Sequence, residues 1–257
     1  MYRTWIRWTT QLVLTAMGVV WLLPAVYAAT VAYAATPVTA TNGIETKDIT
    51  FNPPNRGAPG QSQDAGSRNP CLTTEIPFTA IAPATNWGET LSAHPTFWLY
   101  LPQPAEMIEL TLYDEADSEE ALYQTIFNPP ETMESGIGQF SLPESAPELE
   151  PGRLYRWRFA FVCDRESDPA AEVTGIVVRR SPTPELAEQL QAASPEEKVA
   201  LLAEHGFWYD TVDELAQLRQ RSPDDEMLAA DWESLLTHPI AGLDTFISAA
   251  FLDCCSE

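Results

Sequence analysis

The chain has 257 residues, of which 37 are Asp or Glu and 14 are Lys or Arg, for a formal net charge of −23. That balance excludes nucleic acid and anionic lipid as partners, because their phosphates repel it.

At the N-terminus, Arg3 and Arg7 precede an apolar stretch from Leu12 to Leu23, and Val26-Tyr27-Ala28 supplies a small-residue cleavage site, with Ala32-Tyr33-Ala34 as a second. This pattern predicts a signal peptide over 1–28, an exported chain in the periplasm or outside the cell, and no stable membrane insertion after cleavage. The competing expectation is a retained anchor, since Trp5 to Ala35 is nearly uncharged and long enough to span a bilayer. No cysteine follows the apolar stretch, which argues against a lipoprotein. Cleavage leaves twelve basic against 37 acidic residues, a charge of −25.

Residues 29–70 are rich in Ala, Thr, Pro, Asn, Gly, Ser and Gln and hold few large apolar side chains after Phe51. They bury little surface to offset ordering entropy, so an extended or disordered arm is expected. Phe51 to Gly60 and Ala65 to Cys71 stand out within it, each with one arginine among turn formers.

From 71 to 181 the pattern is strands and turns, and it predicts a β-sandwich domain. The expected strands are Ile76 to Ala82, Thr96 to Leu101, Met107 to Tyr113, Leu122 to Phe127, Gly136 to Leu142, Arg153 to Cys163 and Glu172 to Arg180. Seven strands suggest an antiparallel immunoglobulin-like or fibronectin-like sandwich, with a jelly roll or an irregular sandwich as the other topologies. In the sixth, Tyr155, Trp157, Phe159, Phe161 and Cys163 share one face while Arg156 and Arg158 share the other. The spacing Leu149-x-Pro151-Gly152-x-x-Tyr155 suits a tyrosine corner, with the Tyr155 hydroxyl against backbone just upstream. In the second, Phe97, Leu99 and Leu101 face the core, yet Trp98 and Tyr100 load the opposite face too. Strands apolar on both faces are covered on both. The expected cover is the C-terminal region, and the alternative is an aromatic platform for a sugar or peptide.

Residues 182–257 change period and predict a helical domain of four or five short helices. Ser194-Pro195 and Ser222-Pro223, each followed by acids, read as helix starts. Val212, Leu215 and Leu218 suggest a helix, as do Leu228, Trp232, Leu235 and Leu236, and Ile240, Leu243, Ile247 and Phe251 suggest a last one. Trp208 and Tyr209, inside Gly206-Phe-Trp-Tyr-Asp210, either wedge the helices onto the sheet or form a binding groove.

Four cysteines in an exported chain are disulfide material. A Cys71 to Cys163 bond would close a loop of roughly ninety residues, worth about 4 to 5 kcal/mol in the chain-entropy model. Cys254 and Cys255 are adjacent, where a bond between them is strained, so they are expected free or cross-linked to another subunit. With His205 and His238 they match no zinc spacing. No nucleophile elbow, zinc-protease motif, phosphate loop or complete calcium loop is present, and no cofactor is implied. Asp114 to Glu120 reads as a solvated hairpin tip, and His94 as a structural hydrogen-bonding residue.

Charge is unevenly placed. Between Cys71 and Gly152 there are fourteen acids and no Lys or Arg, and six arginines then fall between Arg153 and Arg180. Arg156 and Arg158 are expected either to pair across strands with acids such as Glu109 or to form a docking strip for an anionic glycan or acidic partner.

The blocks Pro53-Pro-Asn-Arg-Gly-Ala-Pro59, Ala65-Gly-Ser-Arg68, His94-Pro-Thr-Phe-Trp-Leu-Tyr100, Tyr155-Arg-Trp157 through Cys163-Asp164, and Trp208-Tyr-Asp210 resemble the cyanobacterial domain of unknown function family 928, from about Phe51 to Leu236. The resemblance implies an exported protein of a photosynthetic bacterium and supplies no activity. The reading is therefore a non-enzymatic envelope or extracellular protein that binds a protein or glycan. The alternative is an envelope polysaccharide hydrolase using paired carboxylates.

Overall fold

Alternating aromatic and arginine side chains from Arg153 onward form a strand with two unlike faces, and the computed structural model shows what each face meets. The structure describes residues 49–54, 57, 62, 71–72, 74–130 and 132–255. The expected signal peptide and most of the 29–70 arm lie outside them.

Eight strands occur in order: β1 (Thr79–Ala80), β2 (Trp87–Thr90), β3 (Thr96–Leu101), β4 (Met107–Asp114), β5 (Asp117–Phe127), β6 (Gly136–Ser141), β7 (Leu154–Val162) and β8 (Ala171–Arg179). They form a three-stranded sheet, β1-β3-β6, and a five-stranded sheet, β2-β8-β7-β4-β5. Each of the seven expected strands has a counterpart, the first, Ile76 to Ala82, reduced to the two residues of β1. The eighth, β2, has four residues, one of them Gly88, and is too short to show an alternation. It pairs parallel with β8, Trp87 opposite Ile176, so the sheets are not wholly antiparallel as expected. Asn86 turns the chain into β2 with a φ of 55°, a left-handed conformation that asparagine tolerates better than most residues.

Inward-facing Phe97, Trp157, Phe159 and Phe140 make a chain of edge-to-face or tilted ring contacts between the sheets, centroids 5.4 to 5.9 Å apart. Such pairs add about 0.5–1.5 kcal/mol each beyond area burial. The Tyr155 hydroxyl accepts a hydrogen bond from the Glu150 backbone N–H at 2.9 Å, the contact expected of the Pro151-Gly152 turn. Gly152 takes a φ of 83° in that turn. Cys71 is bonded to Cys163, tying the segment before β1 to the end of β7.

Four helices follow: α1 (Pro184–Ala192), α2 (Pro195–Glu204), α3 (Trp208–Arg221) and α4 (Glu226–Thr237). Ser194 caps α2 in a reciprocal capping box with Glu197, as its sequence predicts. Ser222 does not start a helix. It is the C-cap of α3, and Asp225 starts α4 instead, its carboxylate accepting from the backbone N–H groups of Met227 and Leu228. The stripe Ile240, Leu243, Ile247 and Phe251 is not a helix either. Gly242, at a φ of 64°, breaks the chain, a short 3-10 turn covers Asp244–Phe246, and Phe251 forms a parallel bridge with Ile137 beside β6. The apolar spacing reflects burial from several directions.

The described sheets and helices lie in one compact unit and share one apolar core cluster. Part of the arm joins it. Phe51 is buried against Trp208, ring centroids 5.0 Å apart, and the Asn52 N–H donates to the Ala203 carbonyl at 3.1 Å.

Gly175 marks the tightest packing. A Cβ there would lie 2.3 Å from the Trp157 ring. Gly175→Ala gains about 0.4–1 kcal/mol by restricting the unfolded chain, but overpacking costs about 1–3 kcal/mol. Urea denaturation is expected to show net destabilisation. A neutral or stabilising result would contradict this packing.

Candidate functional site

The aromatic residues singled out in the sequence converge on α3. Strand β3 is short and apolar on both faces, so its outer face requires a cover, and α3 packs against both β2 and β3. Trp98, Tyr100, Trp208 and Tyr209 are all buried. Trp98 donates its indole N–H to Asp213 at 3.0 Å and meets Phe251 edge-on, while Tyr100 lies against Phe246 at 4.8 Å. Trp208 donates to the Ile81 carbonyl at 2.9 Å. The Tyr209 hydroxyl accepts from Trp157 at 2.8 Å and donates to the Ile176 carbonyl at 3.2 Å, and its ring lies on Gly88, where a Cβ would meet it at 2.5 Å. An aromatic platform or groove built from these four side chains has no exposed face, because each ring fills the junction of helix and sheet.

Two carboxylates belong to the same junction. Asp210 accepts from the Leu91 N–H at 3.0 Å and from the Thr90 hydroxyl. Part of its surface touches solvent, but protein surrounds the carboxylate, and burial pushes its pKa up to about 7 against those two hydrogen bonds. Burial also raises Asp213, opposed by its bonds to Gln217 and Trp98. Burial pushes the Tyr209 phenol up as well, so it stays neutral.

The outer face of the five-stranded sheet is a second constellation, a row of ion pairs beside a small apolar cluster of Trp87, Ile176 and Val178. Arg158 lies between Glu109 at 3.1 Å and Glu172, whose carboxylate it holds through both Nε and Nη2. Arg156 pairs with Glu115 at 2.7 Å. Arg180 holds Glu89 at 2.6 Å on the same face, while at the end of the sheet Arg153 bonds Asp114, which lies opposite Tyr155 on the inward side, and holds its carboxyl below the usual range. Arg156 and Arg158 are thus bound by acids across strands, Glu109 among them, and carry no unbalanced positive strip. The expected hairpin tip is the β4–β5 turn, Asp114 opposite Asp117, with Asp114 itself buried. His94 meets the Ala146 carbonyl through Nε2 at 3.1 Å.

Beside this face runs an edge that the sequence pattern did not single out. β5 is eleven residues long and, among the described residues, pairs only with β4. Leu122 and Ile126 are 42% and 46% exposed, two of the three exposed large hydrophobics described. The pattern from Leu122 to Phe127 predicts a strand; that it ends the sheet depends on pairings made by residues far away in sequence.

Cys254 and Cys255 are bonded to each other, and no described cysteine is free, contrary to the expectation for this pair. The C-terminal segment that carries them is held to β6 by hydrogen bonds on both sides of Phe251. Among the described residues no three His, Cys, Asp or Glu side chains gather to hold a metal, and no helix is long and apolar enough to cross a membrane.

A family model described as Domain of Unknown Function (DUF928) matches residues 63–251, most of the chain, and the chain belongs to that family. No curated protein matches it.

The buried acids give the junction a pH dependence of definite sign. Because the pKa of Asp210 is higher folded than unfolded, its contribution to stability is fully present below its ordinary value near 3.8 and is lost as pH rises through about 7. Asp210→Asn keeps an acceptor for the Leu91 N–H and cannot ionise. Unfolding free energies measured from pH 4 to 8 are expected to show the variant gaining on the parent protein across that window. A constant difference would contradict the buried setting of Asp210.

Proposed function

We propose that this member of the DUF928 family is an exported, non-enzymatic interaction protein of the cell envelope or extracellular space of a photosynthetic bacterium. Its sheets form an immunoglobulin-like sandwich that receives an extended polypeptide strand on the edge of β5 that no described strand pairs with. The Arg3-Arg7, apolar and Val26-Tyr27-Ala28 sequence at the N-terminus supports export, as do disulfides, which persist in oxidising compartments. For the fold, the order β1-β3-β6 against β8-β7-β4-β5 follows immunoglobulin strands A, B, E against G, F, C, C′. β7 then takes the F position, where a tyrosine corner belongs. The bridging cysteine departs from that pattern, since Cys71 precedes the first strand.

The observation that carries the reading is the edge itself. Proteins blunt long edge strands with charge, bulges or a cover, because unpaired backbone groups template another strand. β5 is charged at its start, at Asp117, Glu119 and Glu120, but presents Leu122 and Ile126 farther along. A partner strand with apolar residues at alternate positions and a basic end would complement it, main-chain bonds supplying affinity and side chains register. The rest of the sheet face, neutralised by its own ion pairs, repels neither sign strongly.

The competing reading is hydrolysis of envelope polysaccharide by paired carboxylates. Asp210 and Asp213, the raised pair, are committed instead to Thr90, Leu91 and Trp98.

An array of immobilised ten-residue peptides alternating Val or Thr with Lys tests the edge. The mature protein is expected to bind, and the double variant Leu122→Asp, Ile126→Asp to bind about tenfold or more weakly with unchanged circular dichroism. Equal capture by both proteins, or turnover of an envelope polysaccharide by the pure protein, would overturn the reading.

A further inference from the structure

Eight arginines lie among the described residues, and six of them, all on the sheet domain, have a carboxylate within ion-pair distance. The two exceptions, Arg219 and Arg221, sit in the last turn of α3 and line the same groove. In a chain of charge −23, two neighbouring cations with no carboxylate partner among the described residues are anomalous.

The groove lies between the end of α3 and residues 248–253 and has a volume of about 700 Å³, within the ordinary range for small-molecule sites. Ser248, Phe251 and Asp253 contribute to its lining. The Arg219 guanidinium is held over two rings, 5.4 Å from the centroid of Phe251 and 5.8 Å from that of Trp232. Cation–π contact fixes its position but leaves its in-plane N–H donors unspent. Its Nη1 is buried with no hydrogen-bond partner, and so is the indole Nε1 of Trp232 beneath it. A buried donor left unsatisfied costs about 1–3 kcal/mol, so the unpaired Arg219 donor on the groove wall is one that an acceptor would stabilise; Trp232 is fully buried beneath it and does not line the groove.

The ordinary role of basic residues in a last helical turn is to offset the negative end of the helix dipole. That end carries about half a charge, against two from the arginines. Asp253, on the rim, opposes one more. The surplus is small but positive, and it falls beside the orphaned donor.

We propose that this groove binds an oxyanion carried on a small organic body, a carboxylate or a phosphate ester. Arg219 and Arg221 would supply charge-assisted hydrogen bonds, Ser248 a neutral donor, and Phe251 an apolar wall for the body. The site is independent of the β5 edge, and the two stand or fall separately.

Calorimetric titration of the mature protein with glucuronate, glucose 6-phosphate and, as the neutral control, glucose tests the proposal. Saturable binding of at least one anion and none of glucose is expected, with the better anion telling a carboxylate site from a phosphate site. Arg221→Gln, at an exposed position that leaves the fold intact, is expected to weaken binding about tenfold. Arg219→Gln is expected to abolish it, and Arg165→Gln, on the sheet, to leave it unchanged. Absence of saturable binding by both anions, or equal binding by the Arg221→Gln and Arg165→Gln proteins, would overturn the proposal.

Discussion

Strand β3 is apolar on both faces, and that imbalance governs the molecule. A sandwich alone covers Phe97, Leu99 and Leu101 but leaves Trp98 and Tyr100 in water. α3 and the C-terminal segment supply the missing layer, with Asp213 and Phe251 against Trp98 and Phe246 against Tyr100. Burying each large ring contributes about 1.5–3 kcal/mol, against about 1 kcal/mol for each hydrogen bond at its polar tip. Burial therefore provides the stability. The tips decide the geometry, because a buried indole or phenol without its partner would cost about 1–3 kcal/mol, more than its bond contributes. Tyr209 shows the division: its ring rests on Gly88 while its hydroxyl joins Trp157 of β7 to the backbone of β8.

The arginines of β7 and β8 have a different role. Partly exposed ion pairs contribute about 0–1 kcal/mol each, so Arg156 and Arg158 do little to hold the sheet. They neutralise acids that would otherwise repel one another across adjacent strands. The outcome is a sheet face of low net field on an acidic protein. Neutralisation stops at the apolar half of the β5 edge and at the groove of Arg219 and Arg221, the two surfaces proposed for recognition.

Much of the sandwich was legible in the sequence because its signals are local. Alternation along β7, the Pro151-Gly152 turn before Tyr155 and the Ser194-Pro195 capping box each lie within a few residues, and each appears in the structure. The failures involve distant contacts. β2 is visible as a strand only through its pairing with β8. The residues from 240 to 251 carry helical spacing, yet they are buried by α4, β3 and β6 in turn, and Gly242 admits no continuous helix. Trp98 and Arg158 were conspicuous by type, but only their neighbours distinguish scaffold from surface. Arg219 and Arg221 drew no notice in the sequence, since nothing near them announces that the C-terminal segment returns to form a groove wall.

If α3 is the second layer of one core, it must open with the sheets and not before them. Native-state hydrogen exchange in increasing denaturant measures this directly. The account expects the slowest amides of α3 to share the opening free energy and denaturant slope of those in β3 and β7. Loss of α3 protection in a separate opening of much lower energy, with β7 still protected, would contradict it.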